Sequence, residues 1–260
     1  MKKNISFIIF LSLLNFHILY AQVKFDYNFL KEAQAFNFKI TNSDTVFYKT
    51  SEIEQIQFYD TTGIRKRIFY YKNGQKKEEV NFKDSIIDGI SLSWHNDGTI
   101  ESIVFADKHE DGFGLDFFKN GILKSFSTFS ANSKIGNIES FYCENGFLYD
   151  IRYHDSIDYI RKGYDCNGSL RYKCRYIGDR GFVGLFECFY ENGNIYLIGN
   201  YKDFSLSNLG EMPIDGQRIG DWKTYNEFGT LIKIETYGEF GDIISIKEYD
   251  KNGNLIKNKK

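Results

Sequence analysis

The chain has four cysteines, at positions 143, 166, 174 and 188, and these are its clearest candidates for covalent or metal chemistry. Their spacings do not match the Cys-x-x-Cys pattern of a zinc site. Cys174 and Cys188 are symmetric about Gly181, so a hairpin centred there would place them opposite each other, within reach of a disulfide. Cys143 and Cys166 have another strand between them, which makes their pairing less favourable. The two open interpretations are a Cys174–Cys188 disulfide and buried free thiols.

Histidines and carboxylates give no further pattern of a catalytic or metal site. His95, His109 and His154 lack the spacing of paired ligands, which indicates surface or turn residues. The acidic run 107–111 lacks the regular alternation of a calcium loop and is interpreted as a solvated connection. The sequence contains no Gly-x-Ser-x-Gly elbow, phosphate loop or dinucleotide fingerprint. We therefore predict that the protein is not an enzyme and takes no cofactor or metal.

The elements that would position these residues come from a repeat marked by glycine. Nine glycines follow an aromatic residue by about four positions: Gly63, Gly74, Gly98, Gly121, Gly146, Gly168, Gly193, Gly229 and Gly253. From Gly74 onward they recur about every 23–25 residues, with one longer interval before Gly229. A period in this range indicates a stacked array of one supersecondary unit.

Each unit has the composition of a β-hairpin. Asn or Asp precedes the glycine in seven units, and Ile or Leu follows it by two positions in seven. Aromatic and aliphatic residues flanking Asn-Gly predict a hairpin. A three-residue loop with a glycine bulge would oppose Phe189 to Ile195 and Tyr249 to Leu255. The aromatic column expected to form the core is Tyr59, Tyr70, Trp94, Phe117, Phe141, Tyr164, Phe189, Tyr225 and Tyr249.

A second aromatic residue in some units predicts an irregularity in the strand. Phe186 and Phe189 are three residues apart, as are Trp222 and Tyr225. Strict alternation would place the members of each pair on opposite faces, so we expect a bulge or burial on both faces. A glycine nine positions before the turn glycine, as at Gly220, completes the unit.

This order of glycine, aromatic pair, Asn-Gly and aliphatic residue resembles the MORN-repeat family in its bacterial variant. The resemblance extends over residues 58–256 and implies an all-β fold, an elongated solenoid or meander of antiparallel β-hairpins. Relatives are often described as antitoxins of the YwqK type, and the resemblance therefore implies an antitoxin-like or immunity role in the cell envelope as an alternative function.

The N-terminal region precedes the repeats. Residues 1–21 have the basic start, apolar stretch and small residue (Ala21) of a cleaved secretory signal, and a single membrane anchor is the alternative. Residues 22–57 are predicted to cap the first edge of the repeat array at 58–260. We expect an exported protein, periplasmic or secreted, whose mature chain does not insert stably into a membrane.

Charge and composition limit the partner classes. The formal net charge is −2, the charges are scattered along the chain without a basic stripe, and 18% of the residues are aromatic. A nucleic-acid partner is disfavoured because phosphate binding needs clustered positive charge. A protein partner is expected, and a carbohydrate remains an alternative that a solvent-facing aromatic row would favour.

The longer interval before Gly229 contains an insertion at residues 202–217. Insertions in repeat arrays map to loops, often on the binding face, whereas a tolerated surface loop is the plain alternative. Its apolar side chains are the predicted partner-binding residues: Phe204, Leu206, Leu209 and Met212. The sequence thus predicts an exported, non-enzymatic repeat scaffold that mediates protein–protein interaction.

Overall fold

The computed structural model describes residues 39–84, 86–107, 111–130, 137–155, 158–177, 181–202 and 216–260. The described residues form 19 strands of one antiparallel sheet. In every strand pair whose register is defined, the partners are neighbours in sequence, except that β4 pairs with both β5 and β6. The predicted all-β meander of antiparallel hairpins is confirmed.

The first ten strands are β1 (Asn42–Phe47), β2 (Ile53–Asp60), β3 (Gly63–Tyr70), β4 (Lys76–Lys83), β5 (Ile86–Ile87), β6 (Gly89–Trp94), β7 (Ile100–Ala106), β8 (Gly112–Phe117), β9 (Leu123–Phe129) and β10 (Ile138–Tyr142). The remaining strands are β11 (Leu148–Asp155), β12 (Asp158–Tyr164), β13 (Leu170–Ile177), β14 (Phe182–Phe189), β15 (Ile195–Tyr201), β16 (Arg218–Tyr225), β17 (Leu231–Tyr237), β18 (Ile243–Tyr249) and β19 (Leu255–Lys259).

Contacts within the chain divide the described residues into two compact units, one ending at Leu148 and the other beginning at Tyr149. The first unit contains β1 to β10, and the second contains β12 to β19 and nearly all of β11. The predicted signal at 1–21, with its cleavage near Ala21, lies outside the described residues, as does the part of the predicted cap before residue 39.

The repeated hairpin turns have the predicted three-residue loop. Phe189 opposes Ile195 and Tyr249 opposes Leu255, as expected from a type I turn followed by a glycine bulge. In the Gly193 turn the glycine has φ of +84°, a left-handed conformation in which a side chain would be strained. The first turn differs, because Asp60 pairs with Gly63 and leaves a two-residue loop.

The strand register is irregular next to the aromatic pairs, but not in the way that their spacing predicts. The register shifts between Cys188 and Phe189 in β14 and between Thr224 and Tyr225 in β16. The residue left unpaired at each shift is in the partner strand, Tyr196 of β15 and Ile232 of β17, so neither shift inserts a residue between the members of an aromatic pair.

The core of the first unit is a row of residues opposed strand by strand on one face. Its members are Ile68, Glu79, Leu92, Ile103, Leu115 and Phe126, each 8% exposed or less. The predicted aromatic column contributes less than expected, because only Phe117 is buried and its other members are half-buried. These rings lie next to the turns, where the sheet ends and fewer neighbours cover them.

The second unit is built around Trp222, whose side chain is fully buried. Its ring lies 4.9 Å from the Tyr201 ring and 5.9 Å from the Phe186 ring, and it packs against the backbone of Gly199. A Cβ on Gly199 would approach the Trp222 ring to 2.3 Å, so this position requires glycine. Aromatic contacts of this kind stabilise a core beyond their buried area.

Candidate interaction surface

The insertion is described only at its two ends. The Lys202 main-chain N–H donates to the Gln217 carbonyl at 2.8 Å, and the side chains of both residues donate to the Glu239 carbonyl at 3.2 Å. Next to this carbonyl, Phe240 is 82% exposed. The predicted partner-binding residues lie outside the described residues, and their role stays a prediction: Phe204, Leu206, Leu209 and Met212.

The predicted Cys174–Cys188 disulfide is wrong. Both thiols are free, because Cys174 opposes Phe186 while Cys188 opposes Tyr172, so the two cysteines do not face each other. The hairpin closes with the Ile177 N–H donating to the Gly181 carbonyl, so it is not centred on Gly181 as assumed from the sequence. Burial raises the pKa of the Cys174 thiol to about 11, which keeps it protonated and unreactive. The other two cysteines, Cys143 and Cys166, are disulfide-bonded.

The most buried acidic group of the second unit, Asp150, is a structural residue. Its carboxylate is 1% exposed and accepts hydrogen bonds from Nε of Arg152 at 3.0 Å, Nε of Arg161 at 2.8 Å and the Tyr172 hydroxyl at 2.8 Å. Burial, together with this bond to Asp150, raises the pKa of Tyr172. A carboxylate satisfied in this way ties three strands together and is poorly suited to accept a proton from a substrate.

No group of three or more His, Cys, Asp or Glu among the described residues is arranged to hold a metal ion. No helix in the described ranges has the length and apolarity of a membrane span.

One face of the second unit carries a row of directly opposed residues that we call the lysine row. Following the strands from β11 to β18, its members are Ile151, Lys162, Lys173, Glu187, Ile198, Lys223, Ile234 and Lys247. Adjacent strands are about 4.8 Å apart, so the row places four lysines and three isoleucines along one line across the sheet.

The charges of the lysine row are poorly compensated. Lys162 and Lys173 oppose each other directly, and like charges in that position destabilise a sheet. Lys173 has Glu187 at 3.6 Å, whereas the described residues supply no acidic partner within 4 Å for Lys162, Lys223 or Lys247. The row therefore carries an excess of positive charge.

The opposite face of the same strands shows how this chain pairs charges elsewhere. There Lys233 opposes Glu248, and Glu248 opposes Lys257, with 2.7 Å between Nζ of Lys257 and the Glu248 carboxylate. Alternating signs of this kind stabilise cross-strand pairs. Where positive charges do oppose each other outside the row, at Arg152 and Arg161, the Asp150 carboxylate lies between them, whereas Lys162 and Lys173 have no such shared carboxylate among the described residues.

Apolar side chains are exposed around the first lysines of the row. Tyr153 and Ile160 form a cross-strand pair, 42% and 47% exposed, and Ile160 also opposes Arg175. On β14, Leu185 is 48% exposed. A surface of this composition combines contact area for apolar groups with positive charge, as protein interfaces do.

The sequence interpretation missed the lysine row, and its statement that basic residues form no stripe is wrong for the folded sheet. The lysines are scattered along the chain because the period spreads them over different strands. Their offsets from the turn glycine contain the signal: Lys162, Lys223 and Lys247 each stand six positions before a glycine, and Lys173 stands five after one. Aligning the charges on the repeat would have found them.

Comparison with known proteins agrees with the repeat. Residues 66–84, 182–203 and 218–238 match the family model of the MORN repeat variant. The second segment coincides with the β14–β15 hairpin and the third with the β16–β17 hairpin. The resemblance predicted from the glycine, aromatic and Asn-Gly positions is confirmed for these three segments. No curated protein sequence matches the chain.

Proposed function

We propose that this protein is an exported, non-enzymatic repeat scaffold that binds an acidic segment of a protein partner along the lysine row. The directly opposed Lys162 and Lys173 carry the proposal, because the pair weakens the isolated sheet and an acidic partner would relieve the repulsion. Lys223 and Lys247 extend the same positive line across further strands.

A protein partner fits the row better than a nucleic acid does. Beyond the Lys162–Lys173 pair, isoleucines alternate with the charged residues of the row, since Ile198 lies between Glu187 and Lys223 and Ile234 lies between Lys223 and Lys247. A polyphosphate backbone needs clustered cations, whereas an acidic segment with apolar residues can use both kinds of side chain. An antitoxin-like or immunity protein would use the surface in the same way, with an acidic toxin segment as the partner.

Export is supported by two observations. The N-terminal sequence has the pattern of a secretory signal, and Cys143 and Cys166 are disulfide-bonded. Disulfides persist in the periplasm and outside the cell and are rare in the cytosol. A carbohydrate ligand has less support, because the repeated aromatic column is half-buried or buried in the described residues.

The proposal is tested by reversing charge where no ion pair is lost. The variant Lys223→Glu/Lys247→Glu should fold normally and should bind the partner captured from an envelope extract about tenfold or more weakly, because like charges then face each other. The matched control is Lys251→Glu, an exposed lysine in the final turn and outside the row. Retention of the partner by the double variant, or equal loss in the control, would reject the lysine row as the binding surface.

A second variant separates binding from stability. Lys162→Glu would oppose an acidic residue to Lys173 and should raise the free energy of unfolding by roughly 0.2–1 kcal/mol. The same change should weaken partner binding, because it removes positive charge from the row. A variant that is more stable and still binds fully would show that the Lys162–Lys173 repulsion has no role in recognition.

A further inference from the structure

The turn tips use two alternative side-chain caps. In most units the Asn or Asp immediately before the glycine accepts the N–H two positions on, as Asn192 Oδ1 does from Asn194 at 3.0 Å. In the Gly229 unit, which has Phe228 before the glycine, Asn226 Oδ1 instead accepts the N–H groups of Phe228 and Thr230. The residue three positions before the glycine can therefore replace the usual cap.

The usual cap also connects consecutive units. Nδ2 of Asn73 donates to the Asn96 carbonyl at 3.0 Å, Nδ2 of Asn120 to the Glu144 carbonyl at 3.3 Å, and Nδ2 of Asn192 to the Glu227 carbonyl at 2.8 Å. Each of these amides is thus held at both its oxygen and its nitrogen.

The last turn contains both kinds of cap residue, and only one is used. Asp250 Oδ1 accepts the N–H groups of Asn252 at 2.9 Å and Asn254 at 2.8 Å. Among the described residues the side-chain amide of Asn252 makes no hydrogen bond. Asn252 is followed by Gly253 and is exposed.

We propose that the Asn252–Gly253 step is a site of spontaneous deamidation. The Gly253 nitrogen, having lost its proton to a base in solution, attacks Cγ of Asn252 and forms a new N–Cγ bond. The Cγ–Nδ2 bond breaks, Nδ2 leaves as ammonia with a proton from solvent, and a five-membered succinimide results. One water molecule then opens either carbonyl of this ring to give aspartate or isoaspartate, without any oxidant or reductant.

The site is selective because the other amides are held by the fold. In each of these turns the glycine N–H donates to a main-chain carbonyl, as Gly193 does to Tyr190 and Gly253 does to Asp250. This bond therefore does not make Asn252 differ from the other asparagines. At Asn192 two further side-chain bonds must break before Cγ can reach the glycine nitrogen. Two net hydrogen bonds of ordinary strength correspond to about a thirtyfold slower reaction.

The product would alter the last hairpin. Aspartate at 252 adds a negative charge beside Asp250, and isoaspartate adds a main-chain carbon to a turn that sets the pairing of Tyr249 with Leu255. The β18–β19 hairpin should therefore loosen with the age of the protein, while the earlier hairpins keep their turns.

The test uses the intact, purified full chain at mildly alkaline pH, with peptide mapping of each Asn-Gly step by mass spectrometry. In the native protein Asn252 should acquire the mass change from amide to acid about thirty times faster than Asn73, Asn120 or Asn192. In denaturant the difference should disappear, because the turns are then lost. Equal rates for Asn252 and Asn192 in the native protein would overturn the proposal.

The variant Asp250→Tyr provides the matched control, since Tyr190 occupies the same position in the Gly193 unit. Without the Asp250 carboxylate, the Asn252 side chain should accept the Asn254 N–H, as Asn192 accepts that of Asn194. Deamidation at Asn252 should then slow several-fold, while circular dichroism confirms the fold. An unchanged or faster rate of deamidation in this folded variant would show that capping of the turn by Asp250 does not control the reaction.

Discussion

Asparagine at the turn tips combines an acceptor and a donor in one side chain. Its oxygen caps its own turn, and its nitrogen donates to the next unit, as at Asn73 and Asn192. Aspartate supplies only the acceptor. The preference for Asn before the glycine therefore reflects contact between units in addition to turn geometry.

Replacing Asn192 with Asp removes the Nδ2 donor and keeps the oxygen acceptor, so it measures the contribution of the donor alone. The cap to Asn194 should survive, but the bond to the Glu227 carbonyl would be lost, and the free energy of unfolding should fall by about 1 kcal/mol. Urea unfolding measures the change. The control Asn252→Ser removes no side-chain hydrogen bond and adds no charge beside Asp250, and equal destabilisation by both changes would contradict the role of the donor.

Glu79 gives a residue-scale prediction for pH. It is 3% exposed, and burial by itself favours its neutral form, but hydrogen bonds from Lys66 and Lys76, each 2.7 Å, outweigh burial and lower the pKa of Glu79. A carboxyl with a lowered folded-state pKa stabilises the protein above its unfolded pKa of about 4.3, and the contribution is lost as pH falls through the folded value.

The variant Glu79→Gln should therefore lose stability at neutral pH and show a weaker dependence on acid. We expect a cost of about 2 kcal/mol at pH 7, less than for a fully buried pair because Lys66 and Lys76 are partly exposed. Unfolding curves for both proteins between neutral and acidic pH should converge at low pH. A constant difference across the range would show that the charge of Glu79 is unimportant.

At the scale of the hairpin, a tyrosine three positions before the glycine joins neighbouring units. The Tyr71 hydroxyl donates to the Trp94 carbonyl at 2.8 Å, and the Tyr190 hydroxyl donates to the Tyr225 carbonyl at 2.9 Å. In the Gly98 unit this position is His95, whose buried Nε2 has no hydrogen-bond partner in the described structure.

His95→Tyr should therefore stabilise the protein. The new hydroxyl would lie near the Phe117 carbonyl, the equivalent acceptor in the next unit, and the buried unpaired nitrogen would be removed, a gain of about 1 kcal/mol. Thermal and urea unfolding test the gain. The reverse change, Tyr71→Phe, should lose a similar amount, and a destabilised His95→Tyr would show that the position does not accommodate the ring.

The hairpins could be predicted from sequence, but the packed face could not be assigned with the same rule. The aromatic residue, Asn-Gly and the aliphatic residue set the register of Phe189 with Ile195 because loop length determines which residues oppose. The core residues of the two units differ in their distance from the turn glycine. Leu92 stands six positions before its glycine, whereas Trp222 stands seven before its own. One position moves a side chain to the other face of a strand.

The same ambiguity hid the candidate binding surface. In the second unit, the positions that hold core residues in the first unit carry Lys162, Lys223 and Lys247. Whether these lysines line up across the sheet depends on which strands are neighbours and on where each bulge shifts the register. The expected Cys174–Cys188 opposition failed because the hairpin between them closes at Ile177 and Gly181 and so is not centred on Gly181.

At the scale of the whole molecule, each unit contains one of the two tryptophans, Trp94 in the first and Trp222 in the second. In repeat arrays each unit contacts only its neighbours, so a local defect need not spread to the entire chain. Fluorescence of the variants Trp94→Phe and Trp222→Phe can therefore follow the units one at a time.

Gly199→Ala is the local defect of choice. Its methyl group would collide with Trp222, and overpacking of this kind costs about 1–3 kcal/mol. In the Trp94→Phe background the urea midpoint reported by Trp222 should fall. In the Trp222→Phe background the matching defect is Gly163→Ala, whose methyl group would meet the Tyr172 ring at 2.3 Å whether or not Trp222 is present, and the Trp94 transition should stay unchanged. A large shift of the Trp94 transition would indicate that the chain unfolds as one cooperative block.

The stem of the insertion has a consequence for how this protein can be altered. The main-chain hydrogen bond between Lys202 and Gln217 joins the end of β15 to the start of β16. The two strands therefore stay paired there for any number of residues between them. A foreign sequence whose own termini are close could replace that stretch without parting the two strands. The stem is thus a natural point for splicing in a fluorescent or affinity module, and a place where evolution could graft new domains onto the sheet.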